Sequence, residues 1–483
     1  MTGMARPRTL VTSFLFAFVI GPVQLSGQRD ANVAEPFPVG EIVPRVITAV
    51  NVEQSYALYL PSNYTTEQTW PVLILMDPRG RALIPLRPMV DAAERHGYIL
   101  VSSYNTASDG PLAPNEEAVA ALLDDVPNRF AINTQRIYFM GFSGTARTTW
   151  DFAFRLKQYV AGIVGIGGGL PPSFPLNSLV MTEGAPFVFF GGSGTTDFNY
   201  EEMRELDVRL DQVGMTHQIA FFSGPHSWPP KPMFARILDW LELHAVKRGL
   251  AVRDDAWIDA LLANNLADEE RLEAEGKPYE AWQRYAAVLQ DFGDLRDLEQ
   301  VNRKVQDLDR SQPVRRVRET LDRMARRQLD YEKHFYKFLE DVKTKSIPSL
   351  DDAVNQLRIA ELLEGASHTK DSVAALGYQR IIEIVFVRTS FYEPRTYIEQ
   401  GDLERALLMT LIAGIAKPNN PRVCNNLGGL YAQMGRADEA FEALECLVAS
   451  SSATVAALQA NTMLKPLRAD PRYGALLARL RRP

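Results

Sequence analysis

The chain has 483 residues, 46% of them apolar and 23% charged, with a formal net charge of -7. At roughly 100–200 residues per domain the length points to more than one domain, and the composition is that of a globular protein with a sizeable core. The acidic balance excludes a dedicated nucleic-acid binder, which concentrates positive charge to meet phosphates. Basic runs such as Arg315-Arg316-Val317-Arg318 lie among acidic residues and read as a solvated helix face.

At the N-terminus, Arg6 and Arg8 precede an apolar run from Leu10 to Ile20, followed by Gly21-Pro22 and Leu25-Ser26-Gly27. A basic start, a short apolar run and small residues form a signal-peptide layout over residues 1–27, which implies a secreted or periplasmic protein. The run is short for a bilayer span, and no later segment approaches ~18 consecutive apolar residues. The expectation is therefore no transmembrane segment in the mature chain. No cysteine follows the run, which argues against a lipid-anchored form.

From about residue 41 to 247, short apolar runs alternate with helical patterns. Strands are expected at Tyr56–Leu60, Val72–Met76, Ile99–Ser103, Ile137–Met140, Gly162–Ile166, Phe187–Phe190 and Ile219–Phe222. Several are unbroken apolar runs, as in strands buried on both faces of a parallel sheet. Helix patterns such as Glu116–Phe130, Thr145–Lys157, Tyr200–Val213 and Pro232–Lys247 lie between them, predicting βαβ units in a mostly parallel sheet sandwiched by helices.

The expected strand Ile137–Met140 runs into Gly141-Phe142-Ser143-Gly144-Thr145 just before a helix pattern. A serine at such a turn is lifted clear of the sheet's carboxyl edge, where ligands bind in open α/β folds. Its hydroxyl needs an imidazole to take its proton, and the imidazole needs a carboxylate to hold its tautomer. Two later strands supply both, since Phe187–Phe190 leads to Asp197 and Ile219–Phe222 leads to His226. Of the six histidines, His96, His217, His244, His334 and His368 fall at wrong strand ends or on helices. Ser143, Asp197 and His226 are the expected catalytic triad. Gly144 is the expected first oxyanion donor, and the loop Asp77-Pro78-Arg79-Gly80-Arg81 the second, with Gly80 admitting substrate and Arg81 donating. No metal, nucleotide or flavin motif occurs, so no cofactor is expected.

After Arg248 helix formers dominate, with Ile381–Val387 the one ambiguous strand run. Tyr397, Gly401 and Ala406 recur 34 positions later as Tyr431, Gly435 and Ala440, with Leu427-Gly428 alongside, Pro418 between the copies and a weaker copy at Gly276, Ala281 and Tyr285. Small residues let antiparallel helices approach, glycine opens the turn, and aromatics fill grooves between hairpins. The segment Ala469–Leu480 reads as a last capping helix. Cys424 and Cys446, the only cysteines, flank the Gly435 turn and read either as a disulfide or as two buried helix thiols.

The strings GFSGTAR, PFVFFGGSGTTDFNYEEM and FFSGPHSWP resemble exported α/β-hydrolases of the esterase and polyhydroxybutyrate-depolymerase type, over residues 45 to 247. Dienelactone-hydrolase-like and feruloyl-esterase-like proteins share that layout. The resemblance implies an α/β-hydrolase domain over 28–249 and a Ser-Asp-His triad at Ser143, Asp197 and His226. It further implies cleavage of a small-molecule or polymeric ester. The positions around Gly401 and Gly435 resemble tetratricopeptide repeats, implying an all-α repeat domain over 250–483 that binds a protein partner or a polymer. A serine peptidase and a catalytically inactive interaction protein are the alternatives.

The resembling group carries glycine where this chain has Thr145. The expectation is that the Thr145 hydroxyl caps the helix or lines the pocket, and that glycine there keeps or raises activity. A chain ending near Arg248 is expected to remain soluble and active on a small ester.

Overall fold

The computed structural model describes residues 37–171, 185–449 and 455–480; the expected signal peptide lies outside them. Residues 42–222 form one eight-stranded sheet: β1 (Ile42–Ile47), β2 (Ser55–Tyr59), β3 (Trp70–Met76), β4 (Ile99–Ser103), β5 (Ile132–Phe142), β6 (Val160–Ile166), β7 (Val188–Gly194) and β8 (His217–Phe222). Their order is β1-β2-β4-β3-β5-β6-β7-β8. The pairs β1–β2 and β2–β4 are antiparallel, and every other pair is parallel.

Period-two alternation divides the sheet residues between two cores. Val72, Ile74 and Met76 pack on one face, against Val119, Leu122 and Val126 of α2 (Ala113–Arg129), Trp150 of α3 (Gly144–Arg155) and Met203 and Leu206 of α4 (Tyr200–Gln212). Leu73 and Leu75 point the other way, onto Leu86 and Met89 of α1 (Leu83–His96) and Phe234, Ile237 and Leu241 of α5 (Lys231–Lys247). The strand order, the helices on both faces and the strand–helix turn after β5 define an α/β-hydrolase fold. The edge strand β1 gives no apolar-run signal, because it is half exposed and carries Pro44, which a central strand could not accept.

Beyond α5 the described residues are helical: α6 (Asp255–Ala274), α7 (Pro278–Phe292), α8 (Glu299–Arg310), α9 (Gln312–Thr344), α10 (Leu350–Gln356), α11 (Ile359–His368) and α12 (Ser372–Val387). A π-helical turn at Arg388–Tyr392 leads into α13 (Glu393–Glu399), α14 (Leu403–Ala416), α15 (Pro421–Gln433), α16 (Ala437–Ala449), α17 (Val455–Ala460) and α18 (Pro471–Leu480). The ambiguous run Ile381–Val387 is helical, because Asp371 caps α12 and its apolar residues are buried between helices. Gly276, Gly401 and Gly435 each turn a helical hairpin at φ of +73°, +77° and +74°, a region glycine adopts at little cost. Ala281, Ala406 and Ala440, each 0% exposed, stand five residues after these glycines where the second helix meets its neighbour. Cys424 and Cys446 are joined as a disulfide, with Cα atoms 6.2 Å apart.

The two parts pack continuously. Leu243 and Val246 of α5 share a cluster with Ile258, Val288 and Phe292. The buried Asp291 of α7 accepts from the Trp240 indole at 2.9 Å and the Gln218 amide at 2.9 Å, and pairs with His244 at 3.1 Å.

Candidate active site

In-register pairing aligns the carboxyl ends of the central strands, with Met76 beside Gly141, Phe142 beside Ile166 and Gly194 beside Phe222. The loops that follow β5, β7 and β8 therefore meet at one edge. Ser143, between β5 and α3, has φ +56° and ψ -124°, a strained conformation for a residue with a Cβ and one that persists where the surroundings over-determine it. Those surroundings are close-fitting glycines. A Cβ on Gly141 would lie 2.4 Å from the Thr145 carbonyl, and one on Gly168 would lie 2.5 Å from the Ser143 carbonyl.

The three predicted side chains form one hydrogen-bonded line. Ser143 Oγ lies 2.9 Å from His226 Nε2, and His226 Nδ1 lies 2.9 Å from each carboxylate oxygen of Asp197. Asp197 is wholly buried, whereas the His226 side chain keeps 17% of its surface at the mouth of the site. The Asn199 amide donates to Asp197 Oδ1 at 2.8 Å, and the Asn199 side chain donates to the Gly167 carbonyl at 2.7 Å. Phe142 and Phe198 pack on the imidazole with ring centroids 4.6 and 4.4 Å away. Other histidines are satisfied by other carboxylates, with the partly buried His96 on Asp239 and the buried His217 and His244 on Asp207 and Asp291.

Gly144 opens α3, so its N–H has no intrahelical acceptor and points from a helix end that favours negative charge. Gly80 and Arg81 do not fill the second donor position expected of them. The amides of Arg79 and Arg81 donate to Asp77 Oδ1 at 2.9 and 3.2 Å, and the Gly80 amide donates to the Asp77 carbonyl at 3.0 Å. The physical reason is the buried Asp77 carboxylate, which gathers the loop onto itself and also takes the Arg81 guanidinium and the Trp228 indole at 2.9 Å. Burial would raise the pKa of Asp77, but the bonds from Arg81, Trp228 and the Arg79 amide outweigh it and hold the carboxyl below its ordinary value. Gly80 is needed for a different neighbour: at φ +62° a Cβ there would lie 2.1 Å from the Tyr104 carbonyl.

Thr145 neither caps α3 nor lines a pocket. It is 0% exposed. Its hydroxyl lies 2.6 Å from the Met76 carbonyl and 2.9 Å from the Phe142 carbonyl, and it accepts the Phe142 amide at 3.1 Å. The elbow is thus pinned to the end of β3 by a side chain where a glycine would leave only backbone.

Several site residues were beyond sequence reasoning. Gly167 lies under the acid–histidine pair, where a Cβ would be 3.0 Å from Asp197 Oδ2 and His226 Nδ1. Ser108 lies against Gly144, and its hydroxyl donates to Asp109, which also accepts the hydroxyl of Tyr392 from the helical part at 2.9 Å. A cavity of about 580 Å³ opens beside the acid between α4 and the helical part, lined by Phe198, Asn199, Glu202, Gln328, Tyr336 and Tyr392. The run Gly167-Gly168-Gly169 after β6 is the signal that could have pointed to Gly167; nothing local marks Ser108 or Tyr392.

No protein-family model matches the chain, and no curated protein matches it. Among solved structures it is similar to an S-formylglutathione hydrolase from Staphylococcus aureus, with 14% identity and a TM-score of 0.36 over 43% of this chain and 99% of that one. A feruloyl esterase module from Clostridium thermocellum is similar at 16% identity and a TM-score of 0.34, over 43% of this chain and 88% of that one. A thermophilic esterase from Thermogutta terrifontis is similar at 12% identity and a TM-score of 0.32, over 44% of this chain and 95% of that one.

Proposed function

We propose that the chain is a serine hydrolase that cleaves carboxylic esters. The observation that carries this reading is the unbroken line from Ser143 Oγ through both nitrogens of His226 to the buried Asp197. His226 Nε2 takes the hydroxyl proton as Ser143 attacks the ester carbonyl, while Asp197 holds the imidazole tautomer and stabilises the imidazolium. The Gly144 amide and the α3 N-terminus face the oxyanion that develops. His226 then returns the proton to the departing alcohol, leaving an acyl-Ser143. Water deprotonated by the same imidazole hydrolyses that ester and regenerates the hydroxyl.

A fluorophosphonate probe tests the reading directly, because it phosphonylates only an activated serine. Wild-type protein takes up one label and turns over a small ester, and Ser143→Ala abolishes both. Labelling that persists in Ser143→Ala, or none in folded wild-type protein, would sink the proposal.

Export is the second part of the reading. The apolar leader motivates it, and the Cys424–Cys446 disulfide suits an oxidising compartment. The mass of the mature protein after expression with its leader tests it, with loss of residues 1–27 expected. The hairpins around Gly401 and Gly435 serve, on the tetratricopeptide resemblance, to bind a partner or polymer.

A further inference from the structure

We infer that Arg380, from the helical part, is a positioning residue for the acid of the triad. The inference rests on the hydrolase reading above. Arg380 lies in α12, 183 positions after Asp197 in the chain, and its side chain is 1% exposed. Its Nη1 donates to the Thr195 carbonyl at 3.0 Å, and its Nη2 donates to Glu201 Oε1 at 3.0 Å. The guanidinium also sits 4.2 Å above the Tyr200 ring.

Those contacts bracket the acid loop. Thr195 is the first residue after β7, Tyr200 and Glu201 begin α4, and Asp197 stands between them. One rigid planar fork therefore fixes the distance between the two ends of the loop that carries the carboxylate. The same loop is stitched to the histidine loop, since the Thr195 amide donates to the Phe222 carbonyl at 2.8 Å. The Thr196 amide and hydroxyl donate to the Gly224 carbonyl at 3.0 and 2.9 Å. A shift at Thr195 is thus passed to the segment two residues before His226.

A purely packing role would not call for arginine. Taking a cation out of water is expensive, and an apolar residue of similar volume at such a site is often neutral or stabilising. Glu201 does not depend on Arg380 alone, because Arg204 Nη1 donates to its other oxygen at 2.8 Å. The bond that no apolar side chain could replace is the one to Thr195.

The test uses the full chain and three variants, Arg380→Met, Arg380→Lys and Glu201→Gln, on a small ester. Arg380→Met should lower kcat about 10- to 100-fold, the scale of an ångström-sized misplacement, with KM within about twofold. The acid limb of its kcat/KM profile should also move. Arg380→Lys should recover part of kcat, since an ammonium reaches one partner but not both. Glu201→Gln should lose much less, because the Thr195 bond survives. Hydrogen exchange at amides 196–199 should rise in Arg380→Met whether or not the ester is turned over.

A folded Arg380→Met with wild-type kcat, pH profile and exchange would overturn the inference. A Glu201→Gln loss as large as that of Arg380→Met would do so too, by assigning the effect to the ion pair. If Arg380→Met does not fold, Arg380→Lys decides, and wild-type kcat and exchange in it count against the inference. Absent labelling and turnover in wild-type protein would sink the hydrolase reading instead, leaving the exchange measurement to judge Arg380.

Discussion

The Thr145 hydroxyl donates to the Met76 carbonyl across a 2.6 Å gap, joining the nucleophile turn to the last residue of β3. That bond reverses the expectation attached to Thr145. Thr145→Gly should not keep or raise activity, because it removes the tie and leaves the Met76 carbonyl and the Phe142 amide buried without this partner. Thr145→Val, equal in shape, should lose about 1–3 kcal/mol of stability for the same reason, and kcat on a small ester should fall about tenfold. Thr145→Ser should hold both within a few-fold. Thermal melts and steady-state kinetics on the three variants check this, and wild-type behaviour in Thr145→Val would refute it.

The glycine under the acid–histidine pair leads to a second expectation. Gly167 has φ +58°, and a Cβ there would press on Asp197 Oδ2 and on the His226 ring at 3.0 Å. Gly167→Ala should lower kcat at least tenfold with KM little changed, since the displaced groups act in the chemical step rather than in binding. Equal kcat in the variant would show that the pair tolerates the displacement.

Glu269 of α6 provides a pH-dependent test of stability. It is 0% exposed, and neither carboxylate oxygen has a hydrogen-bond partner. Burial pushes its carboxyl up to about 8, against the pull of Arg284 and Arg236. An unfolded glutamate titrates at about 4.3, so between these values the folded chain keeps a proton that the unfolded chain has released. This stabilisation is complete below the unfolded pKa and is lost as pH rises towards 8, by up to about 1.4 kcal/mol per unit. Glu269→Gln should therefore match wild type in melts at pH 4 and exceed it at pH 8.5. A constant difference across that range would refute the assignment.

Truncation after Arg248 separates local from tertiary expectations. The shortened chain would expose Leu243 and Val246 and lose the contacts of Arg380 with Thr195 and Glu201. It should aggregate or, where soluble, show lower kcat than the full chain. A soluble fragment with full esterase activity would show that the α/β part needs nothing from the helices.

Much of this protein was legible along the chain because the relevant signals are local. Unbroken apolar runs mark strands buried on both faces, and the order of Ser143, Asp197 and His226 after successive strands follows from where a parallel sheet places its loops. The hairpin glycines were equally plain, since Gly401 and Gly435 recur 34 positions apart, each with an alanine five positions later. Each of these depends on a few neighbouring residues and a repeating geometry.

What only the tertiary structure decided are contacts between residues distant in sequence. Asp77 closes the loop after β3 on itself and so removes Gly80 and Arg81 as oxyanion donors, which required knowing that its carboxylate is buried beside Trp228. Thr145 finds Met76 and Arg380 finds Thr195 through packing of separate elements. The sequence by itself determined the strands β2 to β8, most of the helices between and after them, and the identity of the three aligned side chains, whereas the half-exposed edge strand β1 carried no such signal. The folded chain decided how they are held, because hydrogen bonds across such separations depend on distances that no local pattern encodes.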